Sequence, residues 1–423
     1  MNRGKDAHAL TWENLKDFKF LIFLAIVNTS VHIGMQPSGA LRYLIAVAML
    51  ASGLLLLRIF THSLRKGYRV SYYFKVIYFL LLVWCVYTIL RSLGTNTKDL
   101  ISLFGHYLMG WTWATPLAMV FGFNIFNWFP IFQFLSKVLL AVSLISITQV
   151  VLSEKLCTGL IEGLPFFPIL FLSHPFQSRK NKQITFIAII AFLTLSITIS
   201  QRANMLYLMF ILLCYLIEYL RRKDVRRSMK VPMVLLSLLL VLLSINEVNR
   251  TINSILQNDD AQTDTRSFLV IELFKDLSER ELYVGKGAMG SYYSPYFRDN
   301  EGDAYNRQVN EIGYLHILLK GGGVMILLQL LILLPAAFLG IIASRNCIAR
   351  MCGYIVLSYL IMWTVSYYPI YSAEYLLLWM AAGTCISPKS RKMTDHELKF
   401  YLKGTRVYIQ PGFEQKTQYA GRK

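Results

Sequence analysis

Residues 312–343 read IGYLHILLKGGGVMILLQLLILLPAAFLGIIA, and Lys320 is the one formally charged residue in the run. A stretch this long and this apolar is not the one-sided face of a soluble helix, because it exceeds the roughly 20 residues that carry an α-helix across a bilayer. Lys320-Gly321-Gly322-Gly323 interrupts it, and the glycines there allow either close helix packing or a break in the span.

The rest of the chain reads the same way. Apolar residues make up 55% of 423 positions, charged residues 16% and aromatic residues 14%, and mean hydropathy is +0.46, a balance uncommon in a soluble domain. Windows of about 20 residues place spans at 18–35, 39–60, 72–92, 100–121, 130–152, 164–174, 184–200, 203–220, 231–246, 312–343, 351–367 and 371–387. The run 164–174 is short and carries Pro165 and Pro168, and the run 184–220 is too long for one span, so it divides at Ser200-Gln201-Arg202. The expected fold class is therefore all-α, a polytopic integral membrane protein of about 12 transmembrane helices. Residues 1–246 hold the first nine, 247–307 form one large polar loop, 308–387 hold the last three, and 388–423 form a basic tail.

Basic residues set the orientation, since short cytoplasmic loops collect Lys and Arg. With twelve spans, one side receives Arg3, Lys5, Lys16 and Lys19, then Arg65, Lys66, Arg69 and Lys75. The same side takes Arg179, Lys180 and Lys182, the six bases from Arg221 to Lys230, Arg345 and Arg350, and the tail. Both termini are then cytoplasmic and the large loop faces outward. That loop is acidic, with eleven acidic against seven basic residues, so the net charge of +19 sits on the inner side. The anionic partner this implies is the lipid headgroup layer, with no nucleic acid. The first apolar run lacks a small-residue cleavage site and reads as a retained span.

Cys85, Cys157, Cys214, Cys347, Cys352 and Cys385 all lie outside the large loop, which leaves no outward disulfide framework. There is no CxxC, no His/Cys cluster at zinc spacing, no Walker A and no GxGxxG, so neither metal nor cofactor is expected.

A mostly membranous chain with one large polar segment places its chemistry or its recognition surface in that segment. Arg202 interrupts an apolar run at the outer face and reads either as a snorkelling boundary residue or as a phosphate clamp. Asp264 is a good N-cap for a helix with Val270, Leu273, Phe274 and Leu277 at helical spacing, amphipathic and lying on the membrane surface. Arg266 falls in its first turn, where the helix dipole disfavours a cation, so it serves either a ligand or simply the solvated surface. Gly285, Gly287 and Gly290 suit a tight turn whose N–H groups approach an anion or a sugar, though ordinary turns share the spacing. Tyr283, Tyr292, Tyr293, Tyr296, Phe297 and Tyr305 cluster around it, with rings suited to pyranose stacking or to interface anchoring. Glu311 stands where the chain re-enters the membrane, either desolvated and poised as a general base or held in a salt bridge to an Arg. His316 reads as a satisfied interfacial residue or a second polar group in the cavity.

Three blocks in order carry a family resemblance over residues 184–345. They are Ser200-Gln201-Arg202-Ala203-Asn204, then Asp264-x-Arg266 with its helix and the glycine-rich Gly285 to Gly290, then Glu311-x-x-Tyr314-Leu315-x-x-Leu318-x-x-Gly321. Together they resemble the bacterial O-antigen polymerase and ligase superfamily, membrane glycosyltransferases of the GT-C type in the cytoplasmic (inner) membrane. Ligases carry a His-Asn pair where this chain has Glu311-Ile312, which favours polymerase over ligase; a lipid-linked oligosaccharide flippase is the alternative from another class. The resemblance implies undecaprenyl-pyrophosphate-linked oligosaccharides as substrates; a separate chain-length regulator protein is a candidate partner, and chain-length control does not follow from the sequence. It implies Arg202 and Arg266 as pyrophosphate ligands, Glu311 as base oriented by Tyr314, and Asp264, Gly285, Gly287, Gly290, Tyr292, Tyr293 and Tyr314 as substrate contacts. No metal is required if arginine supplies the charge.

Overall fold

A computed structural model of the chain describes residues 15–29, 39–65, 70–94, 97–138, 202–221, 265–296, 305–366 and 368–400, with a few isolated positions between them. Among these the fold is helical, with a single antiparallel pairing of Tyr292–Tyr293 against Asn306–Arg307. Among the described residues three helices, Ala40–Leu64, Tyr72–Leu90 and Gly313–Ile341, are long and apolar enough to cross a membrane, and Cys347–Met362 and Ala373–Ile386 are shorter apolar helices. In hydrocarbon the backbone must satisfy its own hydrogen bonds, which is why apolar runs of this kind settle as helices. The Tyr72–Leu90 helix buries Phe74, Tyr78, Leu81, Cys85 and Thr88 along one stripe. Its opposite face exposes Tyr72, Phe79, Val83 and Val86, an apolar surface suited to lipid. The fold is that of a helical, membrane-embedded protein.

The Gly313–Ile341 helix is the centre of the packing. It lies against Cys347–Met362, Ala373–Ile386 and Tyr72–Leu90. Close approach depends on small residues. A Cβ on Gly340 would come within 2.7 Å of the Gly353 Cα, and one on Gly383 within 1.9 Å of the Met119 carbonyl oxygen. Pro335 has no N–H to offer the Leu331 carbonyl, and the Tyr73 hydroxyl donates to that carbonyl at 3.0 Å instead. At the far end, the buried Glu218 carboxylate accepts from Arg350 Nε at 2.9 Å, which joins the Arg202–Arg221 helix to Cys347–Met362.

Some expected spans are altered. The span expected at 100–121 is not one α-helix: Thr97–Gly105 is α-helical, Gly110–Ala118 is a buried 3₁₀ segment around Pro116, and Met119–Gly122 returns to α. Pro116 cannot donate to an i−4 carbonyl, and the tighter winding accommodates it. Asp99–Gly122 then turns by 110° into Ile125–Val138. The runs 164–174 and 231–246 lie outside the described residues, as does almost all of 184–200.

The apolar run 312–343 forms one element with a break inside it. Gly322 has φ 71° and ψ −177° within the helix, in the left-handed region that a side chain disfavours. The break turns three successive carbonyls out of the helical ladder towards other partners. Leu319 O accepts from Lys286 N at 2.7 Å, Lys320 O from Gly287 N at 2.9 Å, and Gly321 O from Trp84 Nε1 at 2.8 Å. A Cβ at Gly322 would lie 2.1 Å from the Tyr283 carbonyl oxygen, whereas one at Gly323 would meet only Leu282 O at 3.3 Å. Gly322→Ala is therefore expected to destabilise the protein by about 1–3 kcal/mol or more. Gly323→Ala should be much milder, and thermal unfolding in detergent compares the two.

Candidate functional site

The segment before the broken helix is ordered by local capping. Ser278-x-x-Glu281 is a capping box: the Ser278 hydroxyl accepts from Glu281 N at 3.4 Å, and the Glu281 carboxylate accepts from Ser278 N at 2.9 Å. It starts the short helix Glu279–Val284 directly after Thr265–Asp276. Gly285 then ends that helix at φ 68°, and Gly287 comes next at φ 87°.

The glycine turn is wedged between two helices. Its six N–H groups all donate to protein acceptors. Gly285 N reaches Glu281 O, Lys286 N and Gly287 N reach the two carbonyls at the break, Ala288 N reaches Thr88 O at 3.0 Å, and Gly290 N reaches Gly287 O. Met289 N donates to the Ser92 hydroxyl at 2.9 Å. Lys320 closes the contact from the other side. The residue is fully buried, and its Nζ donates to Ala288 O at 3.0 Å and Gly290 O at 2.8 Å. The Arg91 guanidinium donates to Val284 O and Gly285 O. Gly285, Gly287 and Gly290 thus have structural work, and the N–H groups expected to meet an anion or a sugar are occupied inside the protein.

Beyond the turn, Tyr292 is buried in a small cluster with Leu273, Leu277 and Leu319. Burial pushes its phenol up to about 12, with Arg307 pulling the other way. Tyr293, half exposed, stacks on Tyr305 with ring centres 5.7 Å apart. Glu272 ties the hairpin to the Thr265–Asp276 helix, accepting from Ser294 Oγ at 2.5 Å and Tyr296 N at 2.9 Å. The face of that helix differs from the expected one: Leu269, Glu272, Leu273 and, just beyond it, Leu277 are buried, whereas Phe274 is exposed. The helix packs on the hairpin and on the top of the broken span, which selects a face rotated from the one assigned to the membrane surface.

At the entry to the membrane, Arg307 Nη2 and Glu311 Oε1 pair at 3.2 Å, with the Glu311 side chain 54% exposed and that of Arg307 13%. Of the two readings of Glu311, the ion pair is the one found, and the expected desolvation is not. The Tyr314 hydroxyl donates to Leu360 O at 3.0 Å rather than to Glu311, and its ring meets Trp363 edge-on. His316, 0% exposed, accepts at Nδ1 from Asn310 N at 3.4 Å. That contact leaves the proton of a neutral imidazole on Nε2, which has no partner among the described residues. Asp264 and the side chains of Arg202 and Arg266 lie outside the described residues. The backbone of Arg202 opens the Arg202–Arg221 helix and that of Arg266 is the second residue of Thr265–Asp276.

Arg307, Asn310, Glu272 and the buried contacts of Lys320 are not marked by any motif in the sequence. Only the capping box carried a local signal, Ser278 three residues before Glu281. Among the described residues no group of His, Cys, Asp and Glu side chains is arranged to hold a metal. Comparison of the chain with protein-family models, curated proteins and solved structures finds no match.

The capping box has a pH signature. Burial pushes the Glu281 carboxyl up, but the Ser278 N–H and hydroxyl, aided by Lys286 and Arg91, outweigh it and hold it below the usual carboxylate range. A folded-state pKa below the unfolded one adds stability that is fully present above the unfolded value, about 4.3. It is lost as pH falls through the folded value. Hydrogen exchange of the 279–284 amides, corrected for intrinsic rate, should accelerate below about pH 4 in the wild type and show no such step in Glu281→Gln.

Proposed function

We propose that this chain is a membrane glycosyltransferase that polymerises oligosaccharide repeat units carried on undecaprenyl pyrophosphate, at the outer face of a bacterial cytoplasmic membrane. In this reading about 12 spans cross the bilayer, both termini are cytoplasmic, and residues 247–307 face outward. The observation that carries it is the Arg307–Glu311 pair at the mouth of the broken span, with Glu311 more than half exposed. The hairpin tyrosines and the helix that begins at Thr265–Arg266 flank this mouth. The motif resemblance supports the same reading.

The chemistry is set by those groups. A hydroxyl of the incoming lipid-linked unit attacks the anomeric carbon of the growing glycan. The new C–O bond forms as the bond to the pyrophosphate oxygen breaks, the proton goes to Glu311, and the polyprenyl pyrophosphate leaves. Arg202 and Arg266 neutralise the departing pyrophosphate, where the planar guanidinium fork matches phosphate oxygens. Arg307 holds the carboxylate at the entrance. The exposed faces of Tyr293 and Tyr305 offer stacking surfaces to sugar rings.

Deleting the gene distinguishes this function from its nearest alternatives. Surface glycan limited to a single repeat supports polymerisation, long polymer stranded on the carrier lipid supports a ligase, and repeats trapped inside support a flippase. Within the polymerase reading, Glu311→Gln should slow elongation by about 10²–10⁴-fold. Arg202→Lys and Arg266→Lys should each cost about 10–100-fold, since charge is kept and the fork is lost. Normal polymer from both lysine variants would remove the clamp assignment.

A further inference from the structure

Asn310 is fully buried at the junction of three elements. Its Nδ2 donates to Leu269 O at 3.1 Å, across to the Thr265–Asp276 helix. Its Oδ1 accepts from Ile312 N at 3.0 Å, in the residue that caps the broken span. Its own N–H donates to His316 Nδ1 at 3.4 Å, in the first turn of that span. An asparagine side chain can do this because one short group holds a donor and an acceptor, and both are used.

The position of these contacts matters more than their number. Leu269 lies one helical turn after Arg266, and Asn310 directly precedes Glu311. Among the described residues, the other hydrogen-bonded polar side chains of the Thr265–Asp276 helix reach elsewhere, Glu272 to the hairpin at Ser294 and Tyr296 and Asp276 to Lys286 in the glycine turn. Leu273 meets Leu319 of the span by apolar packing alone. Among the described residues, the Asn310 amide makes the hydrogen bond that joins the helix bearing Arg266 to the stretch bearing Glu311. An apolar residue of similar shape would fill the space without fixing that register. A buried polar group bonded at both ends specifies one arrangement, because any slip leaves it unsatisfied in a dry site.

We infer that Asn310 is a positioning residue, setting the distance and angle between the Arg266 helix and Glu311 through its bonds to Leu269 O and Ile312 N. The catalytic part of this inference rests on the polymerase reading; the structural part does not. Displacement of a positioned group by about 1 Å can cost about 100-fold in rate, so one amide suffices to matter.

The test is Asn310→Asp in the full-length protein in membranes or detergent. The carboxylate keeps an acceptor for Ile312 N and loses the donor to Leu269 O. Hydrogen exchange over 269–276 should rise about tenfold, the loss expected for one hydrogen bond, while the 286–290 amides keep their protection. Elongation of undecaprenyl-pyrophosphate-linked repeats should show kcat lowered about 10–100-fold with KM nearly unchanged. Combined with Arg266→Lys, the double variant should be no more than about twofold slower than Arg266→Lys alone, since the two act as a unit. Unchanged exchange over 269–276, or fully multiplicative rate losses, would overturn the proposal. If the 286–290 amides also lose protection, Asn310→Ala, which brings no charge, carries the same measurements. A wild-type protein with no elongation activity would remove the polymerase reading, and the exchange result would still decide whether Asn310 is the joint.

Discussion

Three carbonyls in the middle of a membrane helix need donors, and that need accounts for most of the packing around the broken span. A helix opened at Gly322 leaves Leu319, Lys320 and Gly321 with acceptors outside the ladder, in an interior where an unsatisfied group costs several kcal/mol. Lys286, Gly287 and the Trp84 indole supply the donors. The exchange is reciprocal, because the Lys320 Nζ returns hydrogen bonds to Ala288 and Gly290 of the same turn. A fully buried lysine amine is expensive in such a place, and two carbonyl acceptors offset part of that cost.

The same contact also finishes the Tyr72–Leu90 helix. The Thr88 carbonyl takes the Ala288 N–H, and Arg91 reaches back to Val284 and Gly285. One short turn therefore caps one helix and fills the break in another. Its positive-φ glycines are needed because a Cβ on Gly285 would sit 2.4 Å from the Lys320 carbonyl carbon. Fixing the turn also fixes the hairpin, the buried Tyr292 and, through Asn310, the approach to Glu311. Because every N–H of the turn is committed, what this end of the span presents outward is side chains, chiefly the exposed Glu311, Tyr293 and Tyr305 around Arg307.

Several parts of this arrangement were legible in the linear chain. The long spans at 39–60 and 72–92 correspond to Gly39–Leu64 and Tyr72–Leu90, and the run 312–343 to Gly313–Ile341, with the glycine triplet as the break. A helix is found at Thr265–Asp276, where the periodicity after Asp264 predicts one. Its buried face was less legible, because Val270 and Phe274 are as apolar as Leu269, and only the hairpin and the top of the span decide which side is covered. The 3₁₀ segment at Gly110–Ala118 was likewise hidden inside a run apolar enough for a straight span.

The helical class, the suitability of several runs for a membrane, the glycine triplet as a place for either close packing or a break, and the polar segment before it are all written in the linear chain. Each of these depends on composition and spacing within about 20 residues, the range over which hydropathy and helical period act. Only the tertiary structure decided that the glycine turn would satisfy the break, that Lys320 would be buried on it, and that Asn310 would bridge to Leu269. Those contacts join residues tens of positions apart, and no local pattern records which orphaned carbonyl a distant N–H will reach once water is excluded.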